Sequence, residues 1–307
     1  MNSKIETIGI KLEEKGHTMR QLTLKGSATP HGKQSVKWTS GLVNLALLIG
    51  GLISLFPFYW LIVMATNTSD DVFHYPPKLT FGSHLLDNIS KVLASIDFFG
   101  AFLNTLFVAG THTLLVLFFC SLAGFTFARF EFPGKNVLFV LLLATLMLPA
   151  QLALVPKFVI MAHLGWVDTF QALIIPGAVS AYGIFWIRQY AQEAIHSDLI
   201  DAARIDGCTH FRMYWSVALP FLRPALAFLG IFSFINTWND YLWPLIILNN
   251  PHRYTLQVAL SQLNGIYKTD YSMVMAGTLM ATLPLIFLFL LGSRQFIADI
   301  AAGALKD

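Results

Sequence analysis

The chain has 307 residues, of which 55% are hydrophobic and 12% charged; its formal net charge is +3 and its mean hydropathy +0.61. Soluble domains carry about 25% charged residues, so one core could not bury this much apolar surface, and an ordinary soluble fold is excluded. Basic residues never alternate with aromatics on a polar face, which leaves no footprint for nucleic acid.

Residues 1–38 are polar and basic and lack the short apolar core and small-residue site of a cleavable leader. They read as a poorly ordered cytoplasmic segment. Six apolar segments follow, at 39–64, 101–128, 136–155, 171–187, 224–248 and 273–292. Each approaches the roughly 20 residues a helix needs to cross the bilayer core. The runs are continuously apolar rather than alternating, which favours helices over a barrel. The expected fold is therefore an all-α integral membrane protein with six transmembrane helices over 39–292 and a short tail at 293–307. Of the 20 Lys and Arg residues, 15 fall on the side of the two termini and 5 on the other. The positive-inside rule then places both termini in the cytoplasm.

Between the first two spans lie Asp70, Asp71, the Pro76-Pro77 pair and Asp87, which predict a structured extracytoplasmic segment. Asn67-Thr68-Ser69 and Asn88-Ile89-Ser90 fit a glycosylation sequon, a triplet common by chance. Residues 156–170 are semi-apolar and suit the outer interface, while Pro149, Pro156 and Pro176 predict kinks in the third and fourth spans. Cys120 falls in an apolar run and Cys208 in a polar loop, so they do not pair. His112, within the second span, has no evident partner in the sequence.

The loop between spans four and five, 193–220, is the most informative stretch. Ser197 is placed as an N-cap, with Asp198 and Asp201 in the first turn, where the helix dipole favours anions. Gly207 is placed to end that helix in a left-handed turn. Thr209 caps a second helix, which Pro220 is expected to close. Leu199, Ala202, Ala203 and Asp206 share one face of the first helix, and Phe211, Tyr214 and Trp215 cluster on the second. Read from the residues alone, the loop is either a rigid knob for a cytoplasmic partner or a segment folded onto the chain's own helix ends.

These residues resemble the inner-membrane permease subunit of binding-protein-dependent ABC importers. That family's signature is Glu-Ala-Ala, three residues, Gly, and later Leu-Pro; here it stands as Asp201-Ala202-Ala203, Arg204-Ile205-Asp206, Gly207, then Leu219-Pro220. Asp201 replaces the usual Glu, and His196 stands where Pro is common. Three stretches are similar to the carbohydrate branch, specifically the smaller, maltose-type permease. They are 199–207, the run Asn236-Thr237-Trp238-Asn239-Asp240-Tyr241-Leu242-Trp243-Pro244-Leu245, and the tail 301–306.

The resemblance implies a coupling loop seated in a cleft of an ATP-binding subunit, with Asp201, Ala202, Ala203, Arg204, Asp206, Gly207, Leu219 and Pro220 as its contact set. It implies a second homologous permease, two ATP-binding subunits, and an extracytoplasmic sugar-binding protein met by Gln262, Leu263, Asn264 and Tyr267. ATP and Mg would sit on the partner subunits, with no cofactor, metal or catalytic residue on this chain. Consistently, the sequence has no Gly-x-x-x-x-Gly-Lys-Ser/Thr and no His-Glu-x-x-His stretch. Asn236, Trp238, Asn239 and Asp240 combine hydrogen-bonding groups with an indole face, a mix suited to sugars. The same residues would equally serve as interhelical bonds or as the cap of a broken span. The resulting expectation is a permease of an ATP-driven sugar or oligosaccharide importer in a prokaryotic inner membrane. A peptide or amino-acid importer and an ion-coupled secondary transporter are the alternatives; no inverted repeat supports the latter.

Overall fold

The computed structural model describes residues 35–265 and 269–304. Tyr267, most of the 1–38 segment and the last three residues of the tail lie outside the described residues. The described residues are helical, with no strand among them. The chain divides after Phe56 into two units. The described part of the first is the opening of α1 (Ser35–Thr66), which carries no charged residue from Thr39 onward. The second unit, 57–307, contains the features below.

Its pillar is α4 (Phe98–Arg129), which follows α2 (Ser69–Val72) and α3 (Leu85–Ser95). With 32 residues, α4 is about 48 Å long at 1.5 Å per residue, more than the ~30 Å of bilayer hydrocarbon. Asp97 starts it by accepting the Gly100 N–H at 3.0 Å, and Arg129 occupies its last turn, where the dipole favours a cation. The helices α8 (Ala181–Ala194) and α11 (Leu219–Trp238) pack along α4 and against each other. Glycines bring the axes close. A Cβ on Gly124 would lie 2.8 Å from Ile187, and one on Gly183 would lie 2.8 Å from Cys120. Such small-residue contacts hold helices together in lipid, where dispersion replaces the hydrophobic drive.

Four described helices are long and apolar enough to cross a membrane: Gly41–Thr66, Phe98–Arg129, His210–Trp238 and Tyr271–Leu290. A fifth crossing exists if Lys135–Leu146 and Ala150–His163, bent by 98°, are one span. The bend contains Pro149, and its second arm includes α6 (Leu154–His163) after α5 (Lys135–Leu146). The expected fourth span is not one helix. It is α7 (Phe170–Ile174) and then α8, with Pro176-Gly177 between them. Pro176 has no N–H to carry a helix through, and a Cβ on Gly177 would lie 2.5 Å from His112 Cε1. A count of six needs both the bent pair and this broken segment to cross. The expected fifth span likewise stops at Trp238 and resumes as the short α12 (Leu242–Ile247). The last helix, α14 (Tyr271–Ala304), follows α13 (Leu256–Ser261) and runs past the expected start of the tail.

The two sequon asparagines are buried staples rather than surface acceptors. Asn88 Nδ2 donates to Ala65 O and Asn67 O, both at 2.9 Å, and Asn67 Nδ2 donates to Val63 O at 2.8 Å. They fix the segment between the first two spans onto the end of α1.

Candidate functional site: a helical elbow and two cavities beside a broken span

The loop 193–220 folds into α9 (Ser197–Ile205), a left-handed turn at Gly207 and α10 (His210–Met213). Gly207 has φ +73°, and the bonds Gly207 N–H to Arg204 O (3.0 Å) and Cys208 N–H to Ala203 O (2.9 Å) close the end of α9. This is the conformation that only glycine adopts without strain. Thr209 Oγ1 accepts the Arg212 N–H at 3.3 Å and caps α10, as its position in the sequence predicts.

Three local expectations need correcting. His196, not Ser197, occupies the N-cap position of α9, and its side chain makes no capping bond. Asp198 is in the first turn, but Asp201 lies beyond it and pairs with Arg204 at 3.1 Å on the surface. Pro220 does not close the second helix. A π-helical turn, Tyr214–Ala218, joins α10 to α11, and Pro220 falls in the first turn of α11. There its missing N–H and its ring are tolerated, so the elbow runs without interruption into a span.

The faces also differ from the sequence reading. Of the four residues assigned to one side of α9, only Ala203 is buried; it packs beside Ile200, while Leu199, Ala202 and Asp206 are exposed. In the aromatic trio Tyr214 turns inward, 2% exposed, and its hydroxyl bonds Ser121 Oγ at 2.7 Å. Phe211 and Trp215 stack with centroids 6.4 Å apart and face out, 58% and 57% exposed. Ile205 at the tip is 88% exposed. Ile200, Ala203, Met213 and Tyr214 share one apolar cluster with Cys120 and Phe125 of α4, Ile187 and Ala191 of α8, and Leu222 of α11. Leu219 packs at its edge, and Pro220 is exposed. Arg129 was not singled out by the sequence reading, yet it fastens the joint: its Nη2 donates to Ala191 O (3.0 Å) and Gln192 O (2.7 Å), the last carbonyls of α8. A cation ending one span, with a second helix ending nearby, was the only trace of this in the sequence.

The residues expected on a translocation path separate. Trp238 is 1% exposed; its Nε1–H bonds Ala281 O at 3.2 Å, and its ring packs on Phe102 and Phe234. It is a packing residue, because the indole needs a large apolar slot and one acceptor, and both are found between α4 and α14. Asn239 is exposed and accepts from Gln257 Nε2 at 3.4 Å. Asp240 accepts the Trp243 N–H at 3.4 Å and lines a cavity of about 680 Å³ with Lys157, Gln151, Trp243 and Pro176. Lys157 Nζ sits 3.9 Å from the Trp243 ring centroid, a cation–π contact. Asn236 lines a second cavity of about 240 Å³ that includes His112 and Gly177. His112 Nδ1 lies 3.1 Å from Ile174 O, which supplies the partner the sequence did not reveal.

At the other end of α4, Gln262 and Asn264 are exposed, whereas Leu263 is 3% exposed and packs against the apolar cluster around Ala276. Leu263 therefore anchors this loop. Three carboxylates knit the same end. Asp71 pairs with Lys78 at 2.6 Å, and that bond, with the Thr68 hydroxyl and N–H, lowers its pKa to about 2. Burial alone would raise Asp168, but the Asn250 and Asn249 N–H groups, both at 3.0 Å, and the nearby Arg253 charge hold it below the usual carboxylate range. Asp270 is also held low, because Lys91 at 2.8 Å, the Ser69 hydroxyl and the Met273 N–H outweigh its burial. Among the described residues no three His, Cys, Asp or Glu side chains gather as a metal site.

The family described as binding-protein-dependent transport system inner membrane component is matched over residues 120–296. The chain is 35% identical to the lactose transport system permease protein LacG of Rhizobium radiobacter, over 82% of this chain and 91% of that one. It is 33% identical to the arabinooligosaccharides transport system permease protein AraQ of Bacillus subtilis, over 86% and 95% of the two chains. Identity to the sn-glycerol-3-phosphate transport system permease protein UgpE of Escherichia coli is 31%, over 85% and 95%. The fold is shared with a chain in the crystal structure of a bacterial ABC transporter involved in the import of the acidic polysaccharide alginate. That match has a TM-score of 0.74 and 23% identity and covers 87% of this chain and 99% of the other. The matched region begins within α4 and takes in the elbow, the broken span and most of the last helix; the chain belongs to the binding-protein-dependent transport system inner membrane components, the permease subunits of ABC importers.

Proposed function

We propose that this chain is one of two non-identical permeases in an ATP-driven importer of a sugar or oligosaccharide in a prokaryotic inner membrane. On this reading a second homologous permease completes the pathway, a sugar-binding protein delivers the cargo outside, and two ATP-binding subunits dock on the cytoplasmic face. ATP and Mg reside on those subunits, and this chain contributes no catalytic group. Both termini and the elbow then face the cytoplasm, in keeping with the Lys and Arg distribution. Lactose and arabinooligosaccharides in the names of relatives at 35% and 33% identity support a carbohydrate cargo over a peptide.

The observation that carries the reading is the elbow. Ile205 and the stacked pair Phe211 and Trp215 are exposed apolar side chains on a scaffold whose inner side belongs to the same core as α4, α8 and α11. Exposed apolar patches of this kind mark partner surfaces. A packed core transmits displacement rather than absorbing it, so moving the elbow as a rigid body tilts α4, α8 and α11 together. If the docking subunits hold the elbow differently with and without ATP, the spans are driven between two arrangements, as alternating access requires.

The test is site-directed crosslinking. Single cysteines at Ile205 and Phe211, in vesicles that carry out ATP-dependent sugar uptake, are expected to capture an ATP-hydrolysing subunit identified by mass. Capture of no such subunit in active vesicles, or sugar uptake by this chain alone, refutes the proposal.

A further inference from the structure

We infer that the smaller cavity, lined by His112, Ser180, Tyr182, Ser233, Asn236 and Thr237, is a binding station for a single neutral sugar ring. The inference rests on the carbohydrate reading above and assigns to it a site on this chain.

The first ground is the break itself. Irregular backbone at membrane depth is tolerated only where it is buried in protein or lines a cavity. At 175–180 the Ser180 N–H donates to the Cys120 sulfur at 3.4 Å, and Gly177 lies against the His112 ring. Pro176 borders the larger cavity and Gly177 the smaller, so the two adjoin across the break. The broken span thus separates two chambers.

The lining chemistry is the second ground. Asn236 spends its Nδ2 on Phe232 O at 2.7 Å, which leaves its Oδ1 to accept. Ser180 Oγ accepts from the Gly183 N–H at 3.2 Å and retains its own proton to donate. Ser233 and Thr237 stand one helical turn apart on the same side of α11, and each offers a hydroxyl that both donates and accepts. The Tyr182 and Phe232 rings, with centroids 5.0 Å apart, supply apolar faces for the C–H surface of a sugar ring. This is the pairing of amide and hydroxyl groups with aromatic faces that a polyhydroxylated ring requires.

Charge and size narrow the ligand. Among the described residues no Lys, Arg, Asp or Glu lines this cavity, whereas Lys157 and Asp240 both line the larger one. A carboxylated or phosphorylated sugar would find no counter-charge here, so the station selects neutral rings. At about 240 Å³ it is smaller than the ~300–1,000 Å³ typical of drug-sized ligands, which suits one ring of a chain passing stepwise.

The test uses the assembled importer in proteoliposomes with its binding protein. Radiolabelled lactose, arabinotriose and maltotriose serve as neutral probes, and digalacturonate as the acidic one. Uptake of no probe by the wild type overturns the carbohydrate reading and the site with it. Uptake of digalacturonate overturns the neutral-ring station while sparing the carbohydrate reading. Where a neutral probe is imported, Ser233→Val and Asn236→Leu are each expected to lower its uptake about five- to tenfold, the effect of one lost hydrogen bond. Since a variant at a helix contact can fail to assemble, a second measurement is needed. Thr237→Cys is made in a Cys208→Ser background, with the buried Cys120 retained. Methyl methanethiosulfonate is expected to label it, and the imported sugar is expected to slow that labelling. Absence of labelling, or labelling that sugar does not slow, refutes the station and leaves the carbohydrate reading standing.

Discussion

Replacing Gly207 with alanine separates the conformation of the elbow from its surface. Gly207 has φ +73°, and a Cβ added there meets no atom of the described residues beyond its own chain neighbours within 4 Å. The cost inside this protein is therefore backbone strain alone, about 1–2 kcal/mol for an L-residue held in the left-handed region. Asparagine visits that region more readily, so Gly207→Asn should retain more of the turn. A cost of about 1–2 kcal/mol shifts a local equilibrium roughly 5- to 30-fold, and it acts on the turn rather than on the core under Ile200, Ala203 and Met213. The assay is uptake together with binding-protein-stimulated ATP hydrolysis, at matched membrane levels of the protein. Both activities should fall strongly in Gly207→Ala and much less in Gly207→Asn, without loss of the chain from the membrane. Alanine working as well as glycine would show that the turn is not needed. Asparagine failing as badly as alanine would locate the defect in side-chain bulk against the partner and refute the strain argument.

Ile205→Asp should abolish copurification of the ATP-binding subunits without lowering the melting temperature of the isolated chain in detergent, since Ile205 touches solvent and not the core. Tyr214→Phe removes the 2.7 Å bond to Ser121 Oγ. Ser121 keeps the Leu117 and Phe118 carbonyls as partners, so the loss should be only about 0.5–1.5 kcal/mol, read by thermal denaturation in detergent. Leu263→Ala empties a buried site and should cost about 2–5 kcal/mol, whereas Gln262→Ala should leave melting unchanged and alter only stimulation by the binding protein. Asp71 has a folded pKa of about 2, below its unfolded value of ~3.9. Its contribution is therefore complete above about pH 4 and is lost as pH falls towards 2. Protease resistance of residues 66–82 should follow that course, and Asp71→Asn should abolish the dependence.

Membrane character, the helical class and the elbow's punctuation were legible because they depend on near neighbours in the chain. Continuous apolar runs report on the solvent, Gly207 on its own φ, and Thr209 on an N–H three residues away. Partners remote in sequence decided the rest. Tyr214 rather than Phe211 or Trp215 turns inward because Ser121 and Phe125, some 90 residues earlier, supply the acceptor and the slot. Trp238 and Leu263 look like surface chemistry beside their polar neighbours, but both are buried in the cluster that also holds Ala276 and Ala281. Pro220 reads as a stop signal, yet a π turn admits it because α10 and α11 must share one core with α4. Pro176 predicts only a kink within one apolar run, whereas the structure breaks the span outright at Pro176-Gly177. Hydropathy records what a residue dissolves in; whether its helix continues depends on the room another helix leaves, here the space taken by His112.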